Sequence, residues 1–443
     1  MPSLLRKPER AGGAAVAVAL AVGAALVAGS LVAGLSLRAD GVRLYLGGPL
    51  LAGEWDPRLP LRVLGPVVVA LLVVVGARFT AGVRWGPLVA LSALAAAAWA
   101  VALAFVDGAE GLVRGVSSTH DYLADVPRVG SFSELLTGYV ANISAESADP
   151  WTTHVGGHPP GALLVFTALD RLGLGGVGWA AVLCIAAAAS AVPAMLLTAR
   201  SVAGEEVARG AAPYLVLTPA AVWLATSADA LFLGVSAWGV AALSIAARAA
   251  GRREVVTAVL GGVLLGCSLF LSYGLVLIGP VALAVALVRR NWRVLLIAAA
   301  GLLTVVAAFA LAGFWWLAGL LATMQRVAEG PAALARPTGF FVVANLAVVA
   351  IAIGPAGVAG LGRALGTSAR RTAVALLPLA AFAAILLADI SLLSKGEVER
   401  IYLPFFGWLL TATALLAPGR RTGWLAAQAG TALTVQLLVR TSW

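Results

Sequence analysis

The sequence predicts an all-α integral membrane protein, a polytopic bundle of about thirteen transmembrane helices. Of its 443 residues, 61% are hydrophobic and only 11% are charged, and the mean hydropathy is +0.98. A soluble domain does not have this balance. Apolar runs of about 17 to 25 residues recur along the chain, and each is long enough to cross a hydrocarbon core about 30 Å thick as a helix. The runs also lack the alternating pattern of a membrane β-barrel.

The apolar runs place the predicted spans in order. The first run follows the basic residues Arg6, Lys7 and Arg10. It is too long for a signal peptide and has no convincing cleavage site, so we expect a retained helix. The spans are predicted at residues 12–36, 61–77, 86–106, 176–199, 210–227, 230–248, 255–272, 275–288, 294–316, 338–361, 372–389, 401–417 and 422–438.

The basic residues predict the orientation of the bundle. With the N-terminus inside, the cytoplasmic segments carry a net charge of +14 and the outer segments carry −4. Lys and Arg concentrate on the cytoplasmic side of membrane proteins, so the N-terminus is expected inside and the C-terminus outside. Orientation therefore explains the net charge of +10, and we expect no nucleic-acid partner. The cytoplasmic set includes Arg370 and Arg371. The outer segments hold 12 basic residues, and the first outer loop, with Arg38, Arg43, Arg58 and Arg62, fits the rule least well.

One apolar segment, residues 162–172, is too short to cross the membrane, because as a helix it would be about 16 Å long. If it did cross, the arginine-rich loops after it would face outwards. We therefore expect a helix that lies on the outer membrane surface and ends near Asp170 and Arg171.

Polar residues gather in the outer loop at 107–175, the longest stretch outside the spans. This loop contains all three histidines of the chain, His120, His154 and His158. It also supplies Asp121, Tyr122 and Asp125 as candidate site residues. His158 is followed by Pro159-Pro160-Gly161. Proline is tolerated at the start of a helix, so this string predicts the beginning of the surface helix.

Two further groups of polar residues lie at predicted outer ends of spans. One is Thr226-Ser227-Ala228-Asp229. An ionisable group at a helix end in lipid costs free energy unless it is paired with an opposite charge, hydrated or needed for function. Both groups are therefore candidate sites. The second group supplies candidate substrate-binding residues at Lys395, Glu397, Glu399, Arg400 and Tyr402.

The order of these strings resembles the GT-C superfamily of membrane glycosyltransferases, near the protein O-mannosyltransferase and aminoarabinose transferase branch. The matching strings are Asp121-Tyr122, His158-Pro159-Pro160 and Thr226-Ser227-Ala228-Asp229. On this resemblance we expect a cytoplasmic tail and transmembrane hairpin at 1–85, a GT-C-like catalytic module at 86–290, and C-terminal transmembrane helices at 291–443.

The resemblance implies an inverting glycosyltransferase that moves a sugar from a polyprenyl-phosphate donor to a glycan, lipid or protein acceptor. Mannose is expected as the commonest donor sugar. Asp121 matches the expected base, with Asp125 and Asp40 as alternatives and Asp229 as a further catalytic candidate. Tyr122, His154 and His158 are expected to bind substrate. Some relatives bind a divalent metal, for which His154 and His158 are candidate ligands.

Each of these candidate residues also has a purely structural interpretation. Asp121 and Asp125 are alternatively helix caps or solvated charges, and Asp229 alternatively caps its own helix. The histidines alternatively hold the loop in shape or bind phosphate, and the charges after residue 394 alternatively pair among themselves. Cys184 and Cys267 lie in different apolar runs, so neither a disulfide nor a thiolate metal site is indicated.

The alternative function is a transporter or a flippase of lipid-linked glycans, and a third possibility is a glycan ligase. Transporters usually carry charges near the middle of the membrane, together with paired repeats and broken helices. Here the spans are nearly free of charge, which favours the enzyme. The expected location is the bacterial plasma membrane, where the chain acts on the cell envelope among membrane lipids.

Overall fold

The computed structural model describes residues 11–225, 227–366 and 372–442. Several residues named above lie outside these ranges: Arg6, Lys7, Arg10, Thr226, Arg370 and Arg371. The structure is 77% helical with almost no sheet, which confirms the predicted all-α fold.

Nineteen α-helices follow one another along the described residues. They are α1 (Ala11–Ala39), α2 (Leu64–Gly76), α3 (Trp85–Ala104), α4 (Phe132–Gly138), α5 (Thr153–Gly156), α6 (Gly161–Leu169), α7 (Val177–Ala203), α8 (Glu205–Val216), α9 (Asp229–Ala246), α10 (Gly251–Leu271), α11 (Gly279–Arg289), α12 (Arg293–Leu311), α13 (Trp316–Glu329), α14 (Pro331–Ala335), α15 (Thr338–Leu365), α16 (Ala373–Ile390), α17 (Val398–Ile401), α18 (Leu403–Leu410) and α19 (Arg421–Leu438). The two strands are β1 (Gly53–Trp55) and β2 (Val439–Thr441).

Eight helices among the described residues are long and apolar enough to cross a membrane, and three shorter apolar helices accompany them. The multi-pass architecture is thus confirmed, whereas the count of thirteen is not. The eight are α1, α3, α7, α9, α10, α12, α15 and α16.

Two predicted spans are broken. The span expected at 210–227 is helical only to Val216, and a 3-10 turn follows at Pro219–Trp223. The span expected at 401–417 is divided among α17, α18 and a 3-10 turn at Thr411–Leu415. Most of this irregular backbone is buried inside the bundle, where protein groups replace the water that lipid cannot supply. Trp99, for example, donates its indole N–H to the carbonyl of Thr218.

Helix α13 was not predicted as an element. It carries Gln325, Arg326 and Glu329 in its second half, so its apolar run is too short to predict a membrane span. It lies against the outer loop, where Arg326 donates to the carbonyls of Ile143 and Trp151 at 2.6 and 3.0 Å.

Helix packing joins the two ends of the chain. Helix α1 packs on α15, while α2 packs on α3 and α19. Helices α7, α9, α10 and α12 form a second packed row. Strands β1 and β2 pair in antiparallel fashion, which places Val439–Thr441 beside the loop after α1. The predicted division at residues 85 and 290 stays a prediction.

Candidate active site

Asp121 and His154 meet in the outer loop. Asp121 caps the 3-10 turn Tyr122–Ala124, and its Oδ1 accepts the backbone N–H of Tyr122 at 2.6 Å. Its Oδ2 lies 3.4 Å from Nδ1 of His154. The backbone N–H of His154 donates to the carbonyl of His120 at 3.0 Å, so the two loop segments are held together. Asp121 therefore acts as a cap and still presents one oxygen to the site.

The predicted beginning of the surface helix is confirmed at residue 161. Helix α6 follows Pro160 and ends at Leu169, immediately before Asp170. Its level in the membrane stays a prediction.

His158 precedes the two prolines, and its ring is fixed by one hydrogen bond. Nδ1 lies 2.8 Å from the carbonyl oxygen of His154. A carbonyl only accepts, so Nδ1 carries the proton and Nε2 keeps its lone pair. Burial lowers the pKa of His158 to about 4, although the charge of Asp229 opposes this shift. The ring is therefore neutral at pH 7 and can accept a hydrogen bond from a hydroxyl.

Tyr122 lies at the centre of an aromatic layer. Its ring is 5.9 Å from those of His158 and Phe166, and 6.5 Å from that of Phe232. Its hydroxyl is buried and has no hydrogen-bond partner among the residues that the structure describes. Burial, and then the charge of Asp121, raise the pKa of Tyr122 well above its ordinary value. The hydroxyl thus remains a donor.

Asp229 begins α9 and forms a buried ion pair. Its Oδ2 lies 2.6 Å from Nη1 of Arg400, and both side chains are almost fully buried. Ser227 donates its hydroxyl to the same carboxylate at 2.8 Å, and its Oγ accepts the backbone N–H of Asp229 at 3.1 Å. Ser227 thus holds the turn that precedes this helix, and the carboxylate of Asp229 binds both Ser227 and Arg400.

Arg400 links the late part of the chain to the outer loop. Its Nη2 lies 3.4 Å from Nε2 of His154 and 3.8 Å from Oε2 of Glu397. Burial alone would lower the pKa of Arg400, but the carboxylates of Asp229 and Glu397 raise it above its ordinary value. A permanent positive charge therefore lies between two acidic groups and a histidine. We call Asp121, Tyr122, His154, His158, Asp229 and Arg400 the polar cluster.

Three predicted residues lie elsewhere. Glu399 is buried, and its Oε1 accepts the backbone N–H of Ala52 in the first outer loop at 2.7 Å. The buried hydroxyl of Tyr402 has no hydrogen-bond partner among the described residues. Asp40 is exposed beyond the end of α1.

Asp125 is held by its neighbours. Its Oδ2 accepts both the backbone N–H and the hydroxyl of Thr152, at 2.9 and 2.8 Å. Its Oδ1 pairs with Arg128. Both oxygens are therefore occupied within the loop.

Lys395 lies on a neighbouring cavity of about 440 Å³, which we call the outer cavity. Its Nζ donates to the carbonyl of Ala333 at 3.1 Å. Two more cations line the outer cavity, Arg326 and Arg336, beside the apolar side chains of Leu392 and Leu393. Thr153 and Gly157 also line it, and each precedes a histidine of the polar cluster. The outer cavity thus adjoins the polar cluster.

Arg336 is a site residue that sequence reasoning missed. It donates to the carbonyls of Leu44, Tyr45 and Lys395, and its Nη2 lies 3.2 Å from Oε1 of Glu397. The available signal was charge placement, because Arg336 falls on the predicted outer face, where arginine is unusual. An arginine there needs partners, and these partners are the loops around the site.

The two candidate metal ligands have other neighbours. The His154 ring lies between Asp121 and Arg400, and Nδ1 of His158 donates to a carbonyl. Among the described residues, no three His, Cys, Asp or Glu side chains are grouped to hold a metal ion.

No family model and no curated protein matches the sequence. Three solved structures are similar. ArnT from Cupriavidus metallidurans in the apo state is 17% identical with a TM-score of 0.46, and the alignment covers 73% of this chain and 61% of that one. The same protein bound to undecaprenyl phosphate is 16% identical with a TM-score of 0.47, covering 74% and 61%.

The third structure is an Archaeoglobus fulgidus oligosaccharyltransferase complex with Zn and sulfate. It is 15% identical with a TM-score of 0.38, and the alignment covers 64% of this chain and 45% of that one. The chain spans about three fifths of the length of the ArnT chains, 61% in each alignment.

Proposed function

We propose that the protein is an inverting membrane glycosyltransferase that moves a sugar from a polyprenyl-phosphate donor to an acceptor hydroxyl. The observation that carries this proposal is the polar cluster. Four separate parts of the chain bring two carboxylates, two imidazoles, a phenol and a guanidinium together at the ends of membrane helices. Buried ionisable groups at such a position are costly and indicate a functional site.

Asp121 is the proposed general base. Asp125 has both oxygens occupied by Arg128 and Thr152, whereas among the described residues Oδ2 of Asp121 has one polar neighbour, Nδ1 of His154 at 3.4 Å. A base must reach the proton that it removes. Of the two neighbouring aspartates, Asp121 therefore suits this role, and Asp125 suits that of a loop anchor.

Two neutral groups are placed to bind hydroxyls of the substrate. Nε2 of His158 is an acceptor, and the Tyr122 hydroxyl is a donor without a partner among the described residues. A sugar hydroxyl both donates and accepts. These two groups would therefore orient the transferred sugar or the acceptor beside Asp121.

The outer cavity is the proposed site of the donor phosphate. Its cations, Lys395, Arg336 and Arg326, suit an anionic headgroup, and Leu392 and Leu393 suit the first prenyl units. Arg400 belongs to the polar cluster. In this proposal it faces the phosphate oxygen on which negative charge develops as the sugar is transferred. Preorganised cations at such a position stabilise the transition state.

The proposed step is a single displacement. Asp121 accepts the proton of the acceptor hydroxyl, and the acceptor oxygen forms a bond to the anomeric carbon. The bond from that carbon to the phosphate oxygen breaks, and the electron pair leaves with the polyprenyl phosphate. Attack on the face opposite the leaving group inverts the anomeric configuration. Mannose as the sugar, a glycan, lipid or protein as the acceptor, and the outer face of the bacterial plasma membrane belong to this proposal.

The first prediction tests the base. The purified protein is reconstituted with a polyprenyl-phosphate mannose and a panel of hydroxyl acceptors, and release of polyprenyl phosphate is measured. Asp121→Asn should lower turnover about 10²- to 10⁴-fold, the usual contribution of a general base. Glu146→Gln is the control, because Glu146 is an exposed carboxylate of the same loop, and it should keep turnover within about twofold of wild type.

Asp125→Asn tests the role of Asp125 as a loop anchor. We expect it to lower the thermal midpoint, because Thr152 loses its carboxylate partner. If Asp121→Asn retains full turnover, the base assignment is wrong. If no donor of this class is turned over while wild type moves lipid-linked sugar across vesicles, the protein is a flippase instead.

A further inference from the structure

A second cavity, of about 390 Å³, lies at the opposite ends of α7 and α9 from the polar cluster. We call it the arginine cavity. Its walls come from the last turns of α7, the end of α9 and the first turn of α10. Its lining residues are Leu197, Arg200, Ser201, Ile245, Arg248, Ala249 and Arg253.

Two of the three cations of the arginine cavity have no acidic partner within the part of the chain that the structure describes. Arg200 pairs with Glu205 at 2.7 Å. The side chains of Arg248 and Arg253 make no hydrogen bond or ion pair within the described ranges. Arg289 lies close enough for the charge of Arg248 to act on it, and its buried Nε has no hydrogen-bond partner there either. Like charges held together in this way favour a bound anion.

The level of the arginine cavity indicates what kind of anion it takes. Helix α9 begins at Asp229 in the polar cluster and ends at Ala246 beside the cavity. Eighteen helical residues span about 27 Å, close to the thickness of the hydrocarbon core. Leu197 and Ile245 also line the cavity, three residues before Arg200 and Arg248 and therefore nearer the middle of the membrane. A cationic rim above an apolar wall at the membrane interface matches an amphiphile with an anionic head.

We propose that the arginine cavity binds the phosphate headgroup of an anionic phospholipid from the leaflet opposite the candidate active site. The guanidiniums of Arg248 and Arg253 contact the phosphate oxygens, and Leu197 and Ile245 contact the start of the acyl chains. Guanidinium forks bind phosphate oxygens in pairs, which gives this site a selectivity that scattered surface charge lacks.

The test measures lipid binding to the full chain by native mass spectrometry, with phosphatidylglycerol and phosphatidylcholine as probes. The double variant Arg248→Gln/Arg253→Gln should weaken phosphatidylglycerol binding at least about tenfold, because charge-assisted bonds are lost. The matched control is Arg78→Gln/Arg420→Gln, which removes two exposed arginines from the same predicted face without touching the cavity. It should change binding less than about twofold.

Equal weakening in both double variants would show attraction by total charge and would overturn the proposal. Equal affinity of wild type for the two lipids would overturn it as well. Inorganic phosphate that displaces the lipid at equal concentration would indicate a free anion site instead. Photoactivatable phosphatidylglycerol tests the wild type directly, in case the variant does not fold. It should label peptides within 197–201 or 245–253, and labelling elsewhere alone would contradict the assignment.

Discussion

Glu399 follows Val398 in the segment that carries Arg400, but its carboxylate bonds a different part of the molecule. Its Oε1 accepts the N–H of Ala52, and its Oε2 has no hydrogen-bond partner among the described residues. Burial raises the pKa of Glu399 from 4.5 to about 7. The folded protein therefore binds this proton more tightly than the unfolded chain does. The resulting stabilisation is complete below about pH 4.5 and is lost as the pH rises through about 7.

The prediction at this residue follows from the sign of that shift. Wild type should lose up to about 3 kcal/mol between pH 5 and 8 relative to Glu399→Gln, which keeps an acceptor for Ala52 but does not titrate. Thermal unfolding midpoints across this range provide the measurement. Glu146→Gln, at an exposed glutamate, should follow the wild-type curve. A Glu399→Gln curve parallel to wild type would contradict the assignment.

Single arginines show how far the sequence could predict the site. The charge rule marked Arg58 as an outer exception but gave it no partner, and the structure pairs it with Asp107 at 2.7 Å. Arg326 and Arg336 break the same rule and contact loop carbonyls. Arg400 and Asp229 could be selected singly as polar residues at helix ends. Their 2.6 Å pairing joins residues 171 positions apart, and no local pattern specifies that contact.

At the scale of elements, hydropathy located the long spans within a few residues, because lipid contact requires a continuous apolar helix. It failed at α8 and α18. Their surroundings are protein, so the chain can leave the helical path while remaining apolar. It also failed at α13, which packs on the loop and needs only one apolar face. Amino-acid composition alone cannot distinguish an apolar segment that is buried by other helices from one that contacts lipid.

Helix α6 depends on a glycine for its position. At Gly161 an added Cβ would lie 2.3 Å from the carbonyl oxygen of Phe270, at the end of α10. That oxygen is a backbone atom, so no side-chain rotation can move it away from the added Cβ. We expect Gly161→Ala to cost about 1–3 kcal/mol by overpacking, with a lower thermal midpoint and faster proteolysis of the outer loop. Gly138→Ala, where the Cβ meets open space, should leave the midpoint unchanged or raise it slightly. Equal midpoints for the two variants would show that α6 can move away from α10.

At the scale of the whole molecule, Asp107 connects three distant parts of the chain. Its carboxylate accepts from Arg58 at 2.7 and 3.1 Å, from Arg114 at 3.1 Å and from Gln436 of α19 at 3.3 Å. The same two arginines also donate to the carbonyls of Val439 and Thr441 in β2. The buried carboxylate thus holds both guanidiniums against the last strand.

The last prediction follows from this arrangement. Asp107→Asn should leave two partly buried arginines facing each other without the carboxylate that lies between them, at a cost of about 3 kcal/mol. Strand β2 should then separate from β1, and hydrogen exchange of amides 439–441 should quicken, whereas exchange in α9 should stay slow. Glu110→Gln is the matched control, because Glu110 also lies near Arg114, at 3.9 Å, but its side chain is 79% exposed. It should shift stability by less than about 0.5 kcal/mol. If hydrogen exchange at β2 is unchanged in Asp107→Asn, the pairing of β1 with β2 does not depend on this carboxylate, and the prediction is wrong.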